Sequence, residues 1–190
     1  MQYLNKTLLG AMLATAALTA QAAEYTLDAA HTNARFSIDH FATSTNHGGF
    51  YNLTGTLSFD PKKQTGAIDL TIPMSTLNSG NAAFDEHLKS ADLFHVEQYP
   101  EMRFVSEKWH FSGDKVTAVE GQLTLLGKTQ PVTLHATKFN CYNSLMLHTE
   151  VCGGDFETTI DRTRWGMDYL VKMGVSKEVK LNIQIEAARK

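Results

Sequence analysis

The feature of this sequence that most constrains its fold is a period-two alternation of apolar and polar side chains. It is clearest at residues 178–187, where the apolar positions are Val179, Leu181, Ile183 and Ile185. Successive side chains of a β-strand point to opposite faces, so such a segment has one buried face and one hydrated face. The chain is therefore predicted to be a β protein whose strands share one apolar interior.

Other segments have the residue types or the alternation of strands. They are 33–40, 53–59, 67–73, 102–111, the two arms of a hairpin at 121–136 that turns at Gly127 and Lys128, and 154–161. With residues 178–187 this makes about eight strands, which predicts an antiparallel up-and-down barrel or a sandwich. The interior of an eight-stranded barrel is filled by its own side chains or holds one ligand, and composition does not distinguish the two.

One short segment departs from the strand pattern. Around "HLKSADLF" (87–94), the apolar residues Phe84, Leu88 and Ala91 recur at intervals of four and three, which is the helical period. A short helix is therefore predicted to interrupt the run of strands.

A second departure lies at residues 161–174, which contain Trp165, Met167 and Met173 next to basic side chains. Two interpretations remain open for this segment. It caps one end of the barrel with core residues, or it is a movable lid over a ligand mouth in which Trp165 can be lost with little effect on stability. The flexible thioethers of methionine suit a lid over an irregular apolar surface.

The first 22 residues have the layout of a secretory signal peptide. Lys6 precedes an apolar run over residues 8–18, and Ala20-Gln21-Ala22 follows as a cleavage site. Cleavage would leave one exported domain, residues 23–190, with 16 basic and 20 acidic residues and a formal charge of −4. Because the basic residues are not clustered, the sequence lacks the charged face that nucleic-acid binding requires, and no nucleic-acid partner is expected.

The two cysteines, Cys141 and Cys152, are predicted to form a disulfide, because an exported protein folds in an oxidising compartment. Their spacing is not the C-x-x-C of a redox or metal pair. The ten-residue segment between them is expected to be a loop away from the strands of the core.

The eight histidines do not occur at spacings that present two metal ligands together, so no metal site is predicted. The chain also lacks a nucleophile elbow and a phosphate-binding loop, and no catalytic residue is assigned. His40 and His87 are the two that could meet a polar head group near a barrel mouth. They carry the alternative hypothesis of a quinone- or lipid-modifying enzyme with histidine acid–base chemistry.

Five stretches together resemble the YceI family of exported polyisoprenoid-binding proteins, and the resemblance extends over essentially the whole chain after residue 22. They are "AAHTNARFSIDHF" (29–41), "GTLSFD" (55–60), "HLKSADLFHVEQYPEMRF" (87–104), "GQLTLLGKTQPVTL" (121–134) and "RTRWGM" (162–167). The third stretch is the most specific, because strand and hairpin patterns occur in many folds.

The resemblance implies an extended eight-stranded antiparallel lipocalin-like barrel with the helical insert near its mouth. It also implies a hydrophobic channel that holds an isoprenoid lipid, such as a polyprenyl quinone like ubiquinone or a polyprenyl phosphate, without a covalent cofactor. The expected function is a non-enzymatic carrier or store in the periplasm of a Gram-negative bacterium, and location at the cell surface or secretion remains open. A ligand-free interaction module is a further alternative, and transient membrane contact and a homodimer remain open.

The expected ligand contacts are the apolar positions of the strands, the helical insert, with Phe84, Leu88 and Phe94 facing the channel, and the 161–174 segment, together with the two histidines. They are Phe36, Ile38, His40, Phe50, Leu53, Leu57, Leu70, Ile72, Met74, Phe84, His87, Leu88, Phe94, Met102, Phe104, Leu123, Leu125, Phe156, Ile160, Trp165, Met167, Met173, Leu181 and Ile183.

Overall fold

The computed structural model describes residues 22–190, so the predicted signal peptide lies outside the described residues except for Ala22. Within this part of the chain, ten antiparallel strands form one closed sheet. They are β1 (Ala23–Leu27), β2 (Asn33–His40), β3 (Ser44–Phe50), β4 (Thr54–Asp60), β5 (Thr65–Pro73), β6 (Glu101–Ser112), β7 (Lys115–Leu125), β8 (Lys128–Ser144), β9 (Thr149–Asp161) and β10 (Glu178–Arg189).

The described strands occupy eight positions around the barrel. β10 pairs with β2 through its first half and with β1 through its last residues. β4 pairs with β1, and β3 pairs with β2. The segments β1 and β2 therefore act as one long interrupted strand, β3 and β4 act as another, and β5 to β10 complete the circle in chain order. The predicted all-β, eight-stranded antiparallel barrel is confirmed.

Two of the strands, β1 and β3, were not predicted from the sequence. The sequence of β3, "STNHGGF", has one large apolar residue and two glycines, so it carries no alternation. Its extended conformation comes from its pairing with β2, in a register that places Ala34 opposite Phe50 and His40 opposite Ser44. Gly48 is needed at its position, because a Cβ there would lie 2.4 Å from Cζ of Phe36.

Aromatic side chains fill both ends of the barrel interior. At one end the ring of Phe94 lies 5.4 Å from that of Phe50 and 6.3 Å from that of Phe36. At the other end the ring of Phe59 lies 5.5 Å from that of Phe139 and 6.3 Å from that of Tyr25. The buried residues of both groups belong to one hydrophobic cluster, so the core is continuous between the two ends.

The predicted helix is α1 (Ala82–Lys89), which follows an Asn81 N-cap whose side chain accepts a hydrogen bond from the amide of Phe84 at 3.1 Å. The helix ends before Ala91, which lies in the following turn. The amide of Phe94 donates to the carbonyl of Leu88 at 3.0 Å, so the chain folds back and places these two side chains on the same side. No helix in residues 22–190 has the length and apolarity needed to cross a bilayer.

Cys141 and Cys152 lie directly opposite each other on β8 and β9 and form the predicted disulfide. The expectation that the segment between them is a loop away from the core is wrong. Most of this segment continues the two strands, only residues 145–148 form the turn, and Cys152 is 4% exposed within the core. The hairpin could not be predicted from alternation, because the large apolar residues at 145–147 are consecutive and lie in the turn.

Both Cys141→Ala and Cys152→Ala should lower the free energy of unfolding, by about 2–4 kcal/mol, because each removes the cross-link. Cys152→Ala should cost about 1 kcal/mol more, since it also removes a buried sulfur atom from the core while Cys141 is only half-buried. Denaturant unfolding of the oxidised wild-type protein and the two variants measures this. Equal stability of the two variants would contradict the burial of Cys152.

Candidate ligand-binding channel

An apolar cavity of about 130 Å³ occupies the barrel end that carries α1 and residues 162–174. We call it the mouth chamber. Side chains of β2, β5, β6, β7, β8, β9 and β10 form its wall, and Leu88, Leu93 and Phe94 of the helical insert complete it. The wall residues described are apolar except for Arg35 and Arg162. This end of the barrel can therefore enclose a hydrocarbon group.

A second cavity of about 50 Å³, the inner chamber, lies at the disulfide end of the barrel. Its wall includes Phe59, Trp109, Phe139, Cys152 and Phe156, and its exposed surface is almost wholly apolar. The two chambers are thus consecutive along the barrel axis and have the same chemical character.

Four residues belong to the walls of both chambers, and we call them the waist. They are Leu70, Phe104, Leu134 and Ile183. They come from β5, β6, β8 and β10, so they surround the axis from different sides. Both chambers are smaller than the ~300–1,000 Å³ of ordinary ligand pockets. A long ligand that occupies both must therefore displace some of the wall side chains.

The structure brings most of the sequence-predicted ligand contacts together around these chambers. Those on the mouth chamber or the waist are Phe36, Ile38, Phe50, Leu53, Leu70, Ile72, Leu88, Phe94, Met102, Phe104, Leu123, Leu125, Ile160, Met167, Leu181 and Ile183. Leu57 and Phe156 lie on the inner chamber. The inward face predicted for residues 33–40 is correct at Ala34, Phe36 and Ile38.

Trp165 does not line either chamber. Its side chain is 0% exposed, and its Nε1 donates to the carbonyl oxygen of Leu123 at 3.0 Å. Of the two interpretations of residues 161–174, this residue fits the core cap. Met74 is likewise buried off the chambers, and Phe84 packs on the core from outside them. Met173, in contrast, is 71% exposed on the surface.

The two histidines chosen as head-group contacts are also off the chamber walls. The His40 ring lies edge-on to Phe41, with centroids 4.8 Å apart, and the His87 ring lies edge-on to Tyr169 at 5.2 Å. Among residues 22–190, the histidines that contact a carboxylate are His31 and His110, so neither candidate has an orienting acid. Neither His40 nor His87 therefore has the geometry of a histidine–carboxylate acid–base pair.

The polar residue that the sequence analysis missed is Arg162, which begins a short 3-10 helix (Arg162–Trp165) and is 2% exposed. Its guanidinium donates three hydrogen bonds to backbone carbonyl oxygens, those of Ser176 (3.0 Å), Met167 (3.2 Å) and Tyr169 (2.8 Å). Burial lowers the pKa of this group, while the charges of nearby acidic residues act in the opposite direction. A charged residue is therefore buried behind the wall of the mouth chamber, whose exposed surface is apolar.

The local sequence explains the position of Arg162. Asp161 caps the short helix, accepting hydrogen bonds from the amide (3.0 Å) and hydroxyl (2.6 Å) of Thr163. Gly166 ends the helix with φ of 87°, a conformation that glycine adopts without strain. An arginine has no periodic signature in such a segment, so its burial could not be found from the alternation. Other missed wall residues, such as Val132 and Leu134, follow the alternation of β8 and could have been included.

Asp28, His31 and Glu186 meet on the barrel surface at the break between β1 and β2, with their possible ligand atoms within 4.8 Å of one another. A contact of 2.8 Å between the His31 ring and Asp28 lowers the pKa of the carboxyl group and raises the pKa of the imidazole. Such exposed acidic groups are common without an ion. Spacing could not predict this group, because Glu186 joins it only through barrel closure.

With this geometry established, comparison with known proteins identifies the family. Residues 25–187 match the YceI-like domain. The chain belongs to the YceI family. A UPF0312 protein of Pseudomonas putida KT2440 is 33% identical over 192 residues, which cover 98% of each chain. Protein YceI of Salmonella newport is 36% identical over 139 residues, covering 70% of this chain and 72% of that protein. This confirms the resemblance found in the sequence.

Solved structures of YceI-like proteins have the same fold. The crystal structure of a Campylobacter jejuni YceI protein has a TM-score of 0.69 and 25% identity, covering 80% of this chain and 90% of that chain. Burkholderia cenocepacia BcnA has a TM-score of 0.69 at 22% identity, covering 84% and 98%. A polyisoprenoid-binding domain from Saccharophagus degradans has a TM-score of 0.64 at 13% identity, covering 90% and 100%. The last two likenesses concern the fold alone.

Replacing Trp165 with alanine should lower the free energy of unfolding by about 3–5 kcal/mol, because it leaves a cavity in the core and removes a buried hydrogen bond. The adjacent Arg164→Ala is a matched control, since Arg164 is exposed, and it should change stability by less than about 1 kcal/mol. Thermal and denaturant unfolding of both variants measures the difference. A Trp165→Ala variant as stable as the control would restore the lid interpretation.

Proposed function

We propose that this protein binds an isoprenoid lipid in the two-chambered channel and acts as a non-enzymatic carrier or store. The observation that carries the proposal is the pair of apolar chambers in line along the barrel axis, joined at an apolar waist. A linear, flexible hydrocarbon is the kind of ligand that fits such a space. The polyisoprenoid-binding domain that shares the fold supports the same ligand class.

The hydrophobic effect supplies the driving force for this binding. Each methylene withdrawn from water contributes roughly 0.8 kcal/mol, so a tail of several isoprene units has ample gross affinity. Ordering the tail and displacing the waist side chains reduce the net value. The affinity should therefore depend on how many units pass the waist.

A polyprenyl quinone and a polyprenyl phosphate are both candidates for the ligand, because both combine such a tail with a polar head group. In this proposal the apolar tail occupies the chambers, and the polar head group stays at the mouth, the end that carries α1 and residues 162–174. The inner chamber has the more apolar set of wall residues, which suits the end of the tail.

The enzyme alternative is less well supported by the site geometry. His40 and His87 lie off the chamber walls, and each packs edge-on to an aromatic ring rather than against a carboxylate. The ligand-free alternative is less well supported by the two chambers themselves. Export to the periplasm agrees with the disulfide, since such cross-links persist in oxidising compartments.

Mass spectrometry of organic extracts tests the proposal directly. The protein should be exported in a Gram-negative host, purified without detergent and extracted with chloroform and methanol. We expect close to one isoprenoid lipid per protein molecule. A protein that carries no lipid, and that binds no added prenyl compound, would contradict the proposed function.

If the tail passes the waist, the effect of a waist substitution on binding affinity should depend on the length of the prenyl tail. Leu134→Phe should weaken binding of a long polyprenyl chain about tenfold or more, while a ten-carbon prenyl compound that fits in the mouth chamber should bind almost as before. Val132→Phe is the matched control, because Val132 lies two residues earlier on the same face of β8 and lines only the mouth chamber. It should weaken both ligands. Equal effects of Leu134→Phe on the two ligands would show that the tail does not pass the waist.

A further inference from the structure

Another cavity, of about 660 Å³, lies on the outer face of the barrel, where β2, β3 and β10 meet the loop at residues 78–80. We call it the lateral cleft. Its exposed wall is more polar than apolar, unlike those of the two chambers, and its volume is within the ~300–1,000 Å³ of ordinary ligand pockets. We propose that the lateral cleft binds a phosphate ester of a small polyhydroxylated molecule, such as a sugar phosphate. This inference is independent of the lipid in the channel.

Strand register gathers the polar residues of the cleft into two neighbouring rows. In the first row Asn182 of β10 lies opposite Arg35 of β2, and Arg35 lies opposite Gly49 of β3. In the second row Ser37 of β2 lies opposite His47 of β3. Directly opposite residues of antiparallel strands have their side chains on the same face, with Cβ atoms about 4.5–5.5 Å apart. The hydrogen-bonding groups of the two rows are therefore close enough to contact one small ligand.

Arg35 is the arginine of the cleft. It alternates with Ala34 and Phe36, which line the mouth chamber, so its side chain lies on the outer face of the barrel, where it is exposed. A Cβ at Gly49 would lie 3.2 Å from Cγ of Arg35 and 2.9 Å from the hydroxyl oxygen of Tyr51. The absence of a side chain at Gly49 therefore lets the arginine and the tyrosine hydroxyl come together above the strand.

The polar side chains of the cleft lack partners within residues 22–190. Side-chain hydrogen bonds and ion pairs are absent from five of them, namely Arg35, Ser37, His47, Tyr51 and Asn182. Elsewhere on the outer face of the barrel, neighbouring side chains satisfy each other, as in the pairs Arg103–Asp69 and Thr124–Thr129. A ligand in the lateral cleft therefore meets several hydrogen-bonding groups without breaking a bond inside the protein.

The charge of the cleft favours an anion. Its described wall includes one arginine and one histidine and lacks a carboxylate. The carboxylates at neighbouring positions have other partners, since Asp39 and Asp85 each accept a hydrogen bond from a backbone amide at 2.7 Å, and Glu157 pairs with Lys180 at 3.1 Å. A phosphate ester has about −1.5 to −2 charges at pH 7 and three strong acceptor oxygens, and a guanidinium can bind two of them side by side. The hydroxyl and amide groups of the wall suit the hydroxyl groups of a sugar.

The loop at residues 78–80 forms the opposite wall and is held in place. Asn78 and Gly49 exchange two backbone hydrogen bonds of 2.9 Å as an isolated bridge, and the amide of Gly80 donates to Oδ1 of Asn78 at 2.7 Å. The loop is thus fixed against β3, and the cleft is formed before a ligand arrives. Less conformational entropy is lost on binding to a wall that is already ordered.

Titration of the isotope-labelled protein followed by NMR tests the inference, with glucose 6-phosphate, gluconate and glucose as probes. We expect glucose 6-phosphate to bind at least about tenfold more tightly than glucose, because hydrogen bonds to a charged group are the stronger ones. Amide signals of residues 35–37, 47–51 and 78–80 should shift. Affinity no higher than that of glucose, or shifts elsewhere on the barrel, would overturn the site. Gluconate binding as tightly as glucose 6-phosphate would overturn the phosphate assignment.

Substitutions assign the binding to the cleft. Arg35→Gln should weaken binding of glucose 6-phosphate at least about tenfold, and Tyr51→Phe, which removes one hydroxyl, should weaken it about threefold or more. Arg103→Gln is the matched control, because it removes the same charge from an exposed side chain of the outer face that does not line the cleft. It should leave the affinity within about twofold. Equal losses in Arg35→Gln and Arg103→Gln would show unspecific attraction to charge and contradict the site. If Arg35→Gln does not fold, Tyr51→Phe against Arg103→Gln decides the same question.

Phosphate groups also occur in membrane lipids, and a sedimentation experiment distinguishes this source. Vesicles of phosphatidylcholine would be mixed with the protein, with and without phosphatidic acid. We expect no retention that depends on phosphatidic acid, because the proposed ligand is a small soluble molecule. Retention on these vesicles without binding of glucose 6-phosphate in solution would overturn the proposed ligand class.

Discussion

The pairing of β10 with both β1 and β2 is the interaction on which the rest of the structure depends. If this ten-stranded sheet were open, it would have two unpaired edge strands and an exposed apolar face. The ladder crosses the break between β1 and β2 through Thr32, whose hydroxyl donates to the carbonyl of Glu186 (3.1 Å) and accepts from its amide (3.2 Å). The amide of Asp28 donates to the same carbonyl at 2.8 Å, so these bonds bridge the break and the two short strands can serve as one side of the barrel.

Closure also creates the channel. The inward side chains of the strands meet around an axis, and their sizes leave two chambers rather than a filled core or an open pore. The waist is aliphatic except for Phe104, so rotamer changes there cost little compared with breaking a hydrogen bond. The disulfide braces the β8–β9 hairpin at the inner end, whereas the mouth is covered by a short helix and loops. More conformational freedom is therefore expected at the mouth than at the inner end.

Arg162 is the exception within this apolar design. Folding must remove its charge from water, and the protein offsets that cost with three backbone carbonyls rather than with an acid. These bonds shape the turn from Met167 to Ser176 and so give the residue a structural role.

The alternation in β2, β5 and β10 determined by itself that the chain is a β protein with an apolar interior. The residues of each of these strands alone decide which of its two faces is buried. The family motifs further implied the barrel and its ligand class. Only the tertiary structure decided the rest. β3 is a strand because β2 pairs with it, the cysteine segment is a hairpin although its apolar residues are consecutive, and Trp165 is fully buried in the core. The chambers, the waist and the burial of Arg162 arise from residues far apart in the chain, which come together only when the barrel closes.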